Sequence, residues 1–118
     1  MDFATLQTYL LQKKSSAEDS PFGEDSKVYK VQGKMFALVA WMKTPLTITL
    51  KCDPADALAL RAQYAAVQPG YYMNKQHWNT ITLDGNIPEE EFLTWIDDSY
   101  HLVVKGLPKS EREKLRDE

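Results

Sequence analysis

The alternation of apolar and polar residues predicts three β-strands in the first half of the chain. Residues 28–31 are short and half polar, residues 35–42 are apolar on both faces, and residues 46–51 alternate strictly. Apolar residues on both faces are typical of a central strand, whereas strict alternation indicates a strand with one wet face. The turn formers Gln32-Gly33 and Thr44-Pro45 separate the three stretches, so the pattern predicts an antiparallel meander.

A helix and a loop are predicted before these strands. Asp2 is a suitable N-cap for a helix that reaches Lys13, because apolar residues follow it at helical spacing. The stretch 15–26 is rich in Ser, Gly and acidic residues, which is typical of a loop. Phe22 is the apolar exception in this loop, and we expect it to pack into the core.

The strands are followed by a second helix and a second pair of extended segments. Asp53-Pro54 is a strong helix start, and we expect this helix to end before Pro69-Gly70. Residues 71–78 are predicted to be extended, and residues 78–83 alternate as a strand with one wet face. The predicted polar face of the sheet shares Thr, Lys and Trp side chains: Thr47, Thr49, Lys51, Trp78, Thr80 and Thr82.

A third helix and a charged tail complete the chain. Pro88 and three successive glutamates begin the helix, which keeps apolar spacing as far as Gly106. Residues 109–118 are a charged tail, predicted to be a solvated or frayed helix. The order α-β-β-β-α-β-β-α predicts one α+β domain over residues 1–118, a two-layer sandwich with helices on one face of an antiparallel sheet.

Composition and charge narrow the possible functions. The apolar fraction is 43% and the net charge is −3, but residues 27–83 carry +5 while both ends are acidic. The longest apolar run, 35–42, is far shorter than the roughly 20 residues of a membrane span. The first residues lack the pattern of a signal peptide, and the single cysteine, Cys52, excludes an intrachain disulfide. We therefore expect a cytoplasmic protein without a membrane partner.

The sequence contains few residues suited to catalysis or metal binding. Cys52 precedes a helix start, but the two histidines, His77 and His101, lie far from it in sequence, so a packed thiol is favoured over a nucleophile. Asp97 and His101 share a helix face, which favours a solvated contact over a metal site. Neither GxGxxG nor GxxxxGK[ST] occurs. We predict no catalytic residue, no metal site, no cofactor and no enzymatic activity.

The stretch 69–78 is the candidate working surface. Its aromatic rings can stack on bases, its lysine can neutralise phosphate, and its amides can contact base edges. The same residue types also suit a protein interface or a small-ligand site around Asn74, Lys75 and His77. Alternatively, Tyr71 and Trp78 are packing residues and Asn74 serves only the turn.

Four stretches also resemble a known family. They are KMFAL at 34–38, LKCDP at 50–54, PGYYMNKQHWN at 69–79 and SYHLVV at 99–104. In this order they resemble the MmcQ/YjbR family of small bacterial proteins. The resemblance implies an α-β(3)-α-β(2)-α fold similar to type III secretion chaperones, and a DNA-binding "double wing" formed by β-hairpins. Tyr72 stands where the family commonly has histidine.

Two hypotheses about partners follow. The leading one is DNA, and the alternative is a chaperone-like interaction module that binds another protein or forms a homodimer. The candidate nucleic-acid contacts lie on the predicted hairpins and in the stretch 69–79: Lys27, Lys30, Lys34, Lys43, Lys51, Tyr72, Asn74, Lys75, His77 and Trp78.

Overall fold

Six antiparallel strands and four helices make up the part of the chain that the computed structural model describes, residues 1–70 and 73–116. In chain order the elements are α1 (Phe3–Leu11), β1 (Ser16–Asp19), β2 (Lys27–Val31), β3 (Lys34–Ala40), β4 (Thr47–Lys51), α2 (Pro54–Gln63), β5 (Val67–Pro69), β6 (Trp78–Thr82), α3 (Glu89–Lys105) and α4 (Lys109–Arg116). The predicted α+β class with an antiparallel sheet is therefore confirmed. No helix of the described residues is long and apolar enough to cross a membrane.

The sheet has the strand order β1-β2-β3-β4-β6-β5, so β3 and β4 lie at its centre. Between β4 and β6 the register pairs Thr47 with Thr82, Thr49 with Thr80, and Lys51 with Trp78. Directly opposed residues have their side chains on the same face of the sheet. We call the face that carries these six side chains the outer face. The predicted composition of this face is confirmed, and the Thr49 and Thr80 hydroxyls lie 2.8 Å apart on it.

The opposite, core face of the sheet packs against the helices. Its buried side chains form one cluster with residues of α1, α3 and α4, among them Leu6, Ile96 and Leu115. A register shift between β2 and β3 makes Phe36 an extra residue, because Tyr29 pairs with Ala37 but Lys30 pairs with Met35. Phe36 is buried, and its ring meets that of Tyr100 edge to face at 5.3 Å.

The hydroxyl of Ser99 joins α3 to both central strands. Ser99 is fully buried, donates to the carbonyl of Phe36 at 2.6 Å and accepts from the amide of Lys51 at 2.8 Å. One side chain thus satisfies a carbonyl at the bulge of β3 and an amide at the end of β4. Because buried backbone groups without partners are costly, this bridge holds α3 in one position on the sheet.

The helix starts agree closely with the sequence prediction. Asp2 accepts from the amide of Thr5 at 2.8 Å and caps α1, and Asp53 accepts from the amide of Ala55 at 3.0 Å and caps α2. The third predicted helix is α3, with its glutamates in the first turn. The first helix ends at Leu11 and does not reach Lys13.

The prediction for residues 15–26 is wrong in two respects. The stretch contains β1, whose register with β2 pairs Ser16 with Val31 and Asp19 with Val28. β1 is an edge strand with mostly exposed side chains, so it lacks the apolar alternation that identifies a strand in a sequence. Phe22 does not enter the core, because 68% of its surface is exposed.

The ends of α2 and of the chain also differ from expectation. α2 stops at Gln63, since Tyr64 is already extended, and the residues before Pro69 form the short strand β5. A strand of three residues is too short for the alternation of apolar and polar residues to be recognised in the sequence. The charged tail forms α4, and Leu115 within it is buried in the core cluster. A single apolar residue in a polar helix is enough to dock it.

Replacing Ser99 by alanine should lower the free energy of unfolding by about 1–3 kcal/mol, because it leaves the Phe36 carbonyl and the Lys51 amide buried without partners. Urea denaturation measures this change. Thr94→Ala is the matched control, since Thr94 bonds a backbone carbonyl on an exposed turn of the same helix. We expect it to change stability by less than about 0.5 kcal/mol. Equal stability of the two variants would contradict the bridging role of Ser99.

Candidate nucleic-acid interface

Residues 73–77 form a compact turn, held by backbone groups, that leads into β6, so the extended conformation predicted for 71–78 is wrong over these five residues. The Oδ1 of Asn74 accepts from the amide of Gln76 at 3.0 Å, and its carbonyl accepts from the amide of His77 at 3.1 Å. The His77 carbonyl accepts from the amide of Cys52 at 2.7 Å, which ties the turn to the end of β4. The side-chain oxygen of Asn74 therefore serves the turn.

Gly70 allows this turn to approach the sheet. Its amide donates to the Trp78 carbonyl at 2.9 Å. A Cβ atom at Gly70 would lie 3.1 Å from the Cβ of Trp78 and 3.4 Å from the Cγ2 of Thr49. The contact with the Cβ of Trp78 is tighter than ordinary van der Waals packing, so glycine is what fits where β5 ends against β6.

Arg61 of α2 anchors the turn from the core side. Its Nε donates to the Oδ1 of Asn79 at 2.7 Å, and its terminal nitrogen donates to the carbonyls of Lys75 and, at 3.3 Å, of Trp78. Asn79 is only 2% exposed and donates in turn to the Ala57 carbonyl at 3.4 Å. The planar guanidinium thus joins the middle of the turn to the first two residues of β6.

Most of the candidate basic residues lie at one end of the sheet, which we call the Lys51 end. β4 finishes there at Lys51, β6 begins there at Trp78, and the turn with Lys75 and His77 precedes it. The β2–β3 hairpin points the same way, because its Lys30 and Lys34 lie beyond the Ala37–Leu50 pair. Lys34 and Lys75 are exposed, whereas Lys51, His77 and Trp78 are half-buried.

Two candidate lysines lie at the opposite end of the sheet, the Lys43 end. Lys27 pairs with Val39 there, and its ammonium group lies 5.9 Å from the centre of the Trp41 ring. Lys43 is exposed in the turn between β3 and β4. Since β4 alone spans roughly 13 Å, these two lysines lie at least about that far from Lys51 along the strand direction. Tyr72, the remaining candidate, lies outside the described residues.

The charge of Lys30, one of the predicted contacts, is partly compensated by a carboxylate on the neighbouring strand. Its ammonium group lies 3.7 Å from the Oδ2 of Asp19, its neighbour on β1. Both side chains are substantially exposed, so the pair contributes little to stability. A polyanion that binds nearby has to compete with Asp19 for Lys30.

The surroundings of two other potentially reactive side chains, Cys52 and Asp97, indicate structural roles. Burial, followed by the charges of Asp56, Asp53 and Asp98, raises the pKa of Cys52 to about 11, so its thiol is protonated at neutral pH. Asp97 accepts from the Tyr9 hydroxyl at 2.6 Å and from the Lys13 ammonium group. Burial opposes ionisation of Asp97, but these two donors outweigh it and lower its pKa. Among residues 1–70 and 73–116, no three His, Cys, Asp or Glu side chains are grouped to hold a metal.

Sequence reasoning missed the two residues that position the candidate surface, Arg61 and Asn79. Asn79 lies two residues before Ile81, so both side chains lie on the same side of β6. This spacing from an inward apolar residue is what the sequence offered to identify Asn79 as buried. An amide in the inward set of a strand needs a buried partner, and Arg61 is that partner.

Arg61→Ala should lower the free energy of unfolding by about 1–3 kcal/mol, because it leaves the buried Asn79 oxygen without its donor. The amides of Cys52 and His77, which close the turn, should exchange with solvent at least about tenfold faster. Native-state hydrogen exchange followed by NMR measures both rates. Arg112→Ala, on an exposed turn of α4, is the control and should leave them unchanged. Unchanged exchange rates in Arg61→Ala would mean that the turn is stable without its contacts to Arg61.

Comparisons with known proteins agree with this architecture. The YjbR family model matches residues 11–102 of the chain. Uncharacterized protein YbdF of Escherichia coli O157:H7 is 38% identical over 96 residues, which cover 81% of this chain and 79% of YbdF. Uncharacterized protein YjbR of Escherichia coli K12 is 30% identical over 115 residues, which cover 98% of each chain.

Solved structures share the fold as well. The crystal structure of Deinococcus radiodurans protein DR2400, a DUF419 domain, superposes with a TM-score of 0.91 at 36% identity and covers 97% of this chain and 87% of its own. A crystal structure of a Pseudomonas syringae protein superposes with a TM-score of 0.74 at 28% identity, over 86% of this chain and 98% of that one. The chain therefore belongs to the YjbR family, as the four sequence stretches predicted.

Proposed function

We propose that the chain is a non-enzymatic cytoplasmic protein that binds DNA at the Lys51 end of its sheet. The observation that carries this proposal is the pairing of Lys51 with Trp78 on the outer face, beside the turn that bears Lys75. Side chains opposed in an antiparallel pair have Cβ atoms about 4.5–5.5 Å apart. One DNA strand can therefore place a phosphate at Lys51 and stack a neighbouring base on Trp78.

The chemistry of this end suits contact with the DNA backbone. Lysine ammonium groups neutralise phosphates and release counterions, and a tryptophan ring stacks on any base. Lys34 at the tip of the β2–β3 hairpin extends the basic surface beyond β4. The Asn74 oxygen is already used by the turn, which removes one base-reading group. The proposed binding is therefore driven by phosphate contact and stacking, with little discrimination between sequences.

The salt dependence of DNA binding tests this proposal. We expect labelled duplex and single-stranded oligonucleotides to bind at low salt, with log K falling by about 0.9 per phosphate contact on duplex. Lys51→Gln combined with Lys75→Gln should remove about 1.8 from that slope. Fluorescence anisotropy at several salt concentrations measures it.

The matched control is Lys43→Gln, which removes an exposed lysine at the other end of the sheet. We expect it to leave the slope within about 0.3 of the unmutated value, since a residue outside the contact releases no counterion. Two results contradict the proposal. The first is no binding at low salt, and the second is an equal loss of slope in the control and the double variant.

A second candidate function is self-association through the outer face near the Lys43 end. A cavity of about 710 Å³ lies there, with Leu38 and Ala40 at its floor and Phe22 and Met42 at its edge. Phe22 is 68% and Met42 61% exposed, which is unusual for large apolar side chains placed together. The occupant we propose is a second copy of the chain.

Charge supports a symmetric pairing at this cavity. Asp25 and Lys43 both line it. In a two-fold dimer every contact occurs twice. Asp25 of one copy can therefore face Lys43 of the other, while Lys43 of the first copy faces Asp25 of the second. The apolar residues between them would then be removed from water on both copies.

Phe22→Ser combined with Met42→Ser should abolish self-association, because it removes the apolar groups that the interface would bury. Sedimentation equilibrium between about 1 and 500 μM checks the mass of the species in solution, since weak dimers form across this range. Leu58→Ser is the control, because Leu58 is 64% exposed on α2, away from the cavity. A monomer at every concentration without substitution would exclude the dimer.

A further inference from the structure

A cleft of about 480 Å³ lies between α2 and α3, over strands β4 and β6. Leu50 and Ile81 form its floor, and Leu60 of α2 faces Leu102 of α3 across it. Pockets that hold small organic ligands have volumes of about 300–1,000 Å³ and mostly apolar linings. The cleft has the size and the apolar interior of such a pocket, and it adjoins the Lys51 end of the sheet, since Lys51 also lines it.

The two ends of the cleft differ. The rings of Tyr64, just after α2, and Trp95 of α3 meet edge to face at 5.5 Å, and they close the cleft at the end where α2 finishes. The opposite end is lined by charged and titratable side chains: Lys51, Asp53, Asp56, Asp98, His101 and Lys105. A ligand thus meets an apolar closed end and a charged open end.

The charges at the open end have both signs and do not neutralise each other. Within the described ranges 1–70 and 73–116, the four ion pairs of 4.0 Å or less all involve other side chains. Asp98 and Lys105 lie two turns apart on one face of α3, a separation of roughly 10 Å along the helix axis. The rim therefore offers a carboxylate site and an ammonium site at a defined spacing.

Three carboxylates line this rim and outnumber Lys51, the lysine next to them in the sequence, so this part of the rim keeps a net negative charge. Asp53 and Asp56 belong to the start of α2 and Asp98 to α3, yet all three act on the thiol of Cys52 and contribute to its raised pKa. They line the cleft together with Cys52. Such a group attracts an ammonium ion and repels phosphate. The cleft is thus a poor place for a nucleotide and a good one for an amine.

We propose that the cleft binds a short apolar peptide of two or three residues with free termini. Its ammonium group lies among Asp53, Asp56 and Asp98, its side chains lie over Leu50 and Ile81, and its carboxylate lies at Lys105. An extended chain spans about 3.3–3.6 Å per residue, so two or three residues cover roughly 7–11 Å. This length matches the spacing of the two charged sites, and the apolar floor selects aliphatic side chains.

Isothermal titration with trileucine tests the proposal, and N-acetyl-trileucine amide is the matched probe without terminal charges. We expect trileucine to bind with a saturable heat in the micromolar to low millimolar range, and the capped probe to bind at least about tenfold more weakly. Tenfold corresponds to about 1.4 kcal/mol, a reasonable value for charge contacts at a partly exposed rim. Absence of trileucine binding at 10 mM, as an order-of-magnitude limit for a weak physiological site, overturns the proposal.

Two variants locate the binding. Ala59 lines the cleft from an exposed position of α2, so Ala59→Trp should fill the cleft and abolish binding while circular dichroism shows an intact fold. Asp98→Asn should weaken trileucine at least about fivefold but leave the capped probe unchanged. Asp84→Asn, an exposed acid in the turn after β6, is the control and should change neither affinity. Equal binding of trileucine to all three variants would place the peptide elsewhere and overturn the assignment.

Discussion

The buried hydroxyl of Ser99 is the contact on which the arrangement of this protein depends. It joins the carbonyl of Phe36 to the amide of Lys51 through a side chain of α3. The apolar cluster drives α3 onto the sheet, but apolar burial has no direction and does not by itself fix where along β3 and β4 the helix rests. Two directed hydrogen bonds at a bulge and a strand end remove that freedom.

Both proposed binding surfaces follow from this position of α3. The amide of Lys51 is held by Ser99, so β4 ends where Lys51 faces Trp78 across the strand pair. On the other side of the sheet, the turn of α3 next to Ser99 brings Asp98 and Leu102 to the wall of the cleft. The outer face and the cleft thus share one end of the sheet, and Lys51 belongs to both. The cleft adds the carboxylates of Asp53, Asp56 and Asp98.

The local elements were largely predictable because their causes lie within a few residues. Asp2 and Asp53 cap their helices through bonds to amides two or three positions away. The meander of β2, β3 and β4 has the alternation and the turn at Gln32-Gly33 that hairpins need, and both turn residues have positive φ. Where the cause is distant the prediction failed: β1 exists only because β2 offers it an edge, and Leu115 docks α4 only because the core has room for it.

The sequence by itself determined the class of fold, the caps, the polar face of the sheet and the membership of a family whose motif includes residues 69–79. Only the tertiary structure decided which charged residues lie together at one end of the sheet. Register is a property of strand pairs, so it separated Lys27 and Lys43 from Lys51 and Lys75, although all four share the basic middle of the chain. The same holds for Arg61 and Asn79, which lie 18 positions apart in sequence and meet because α2 crosses the sheet beside β6. Contacts across such distances depend on packing, and no local pattern encodes them.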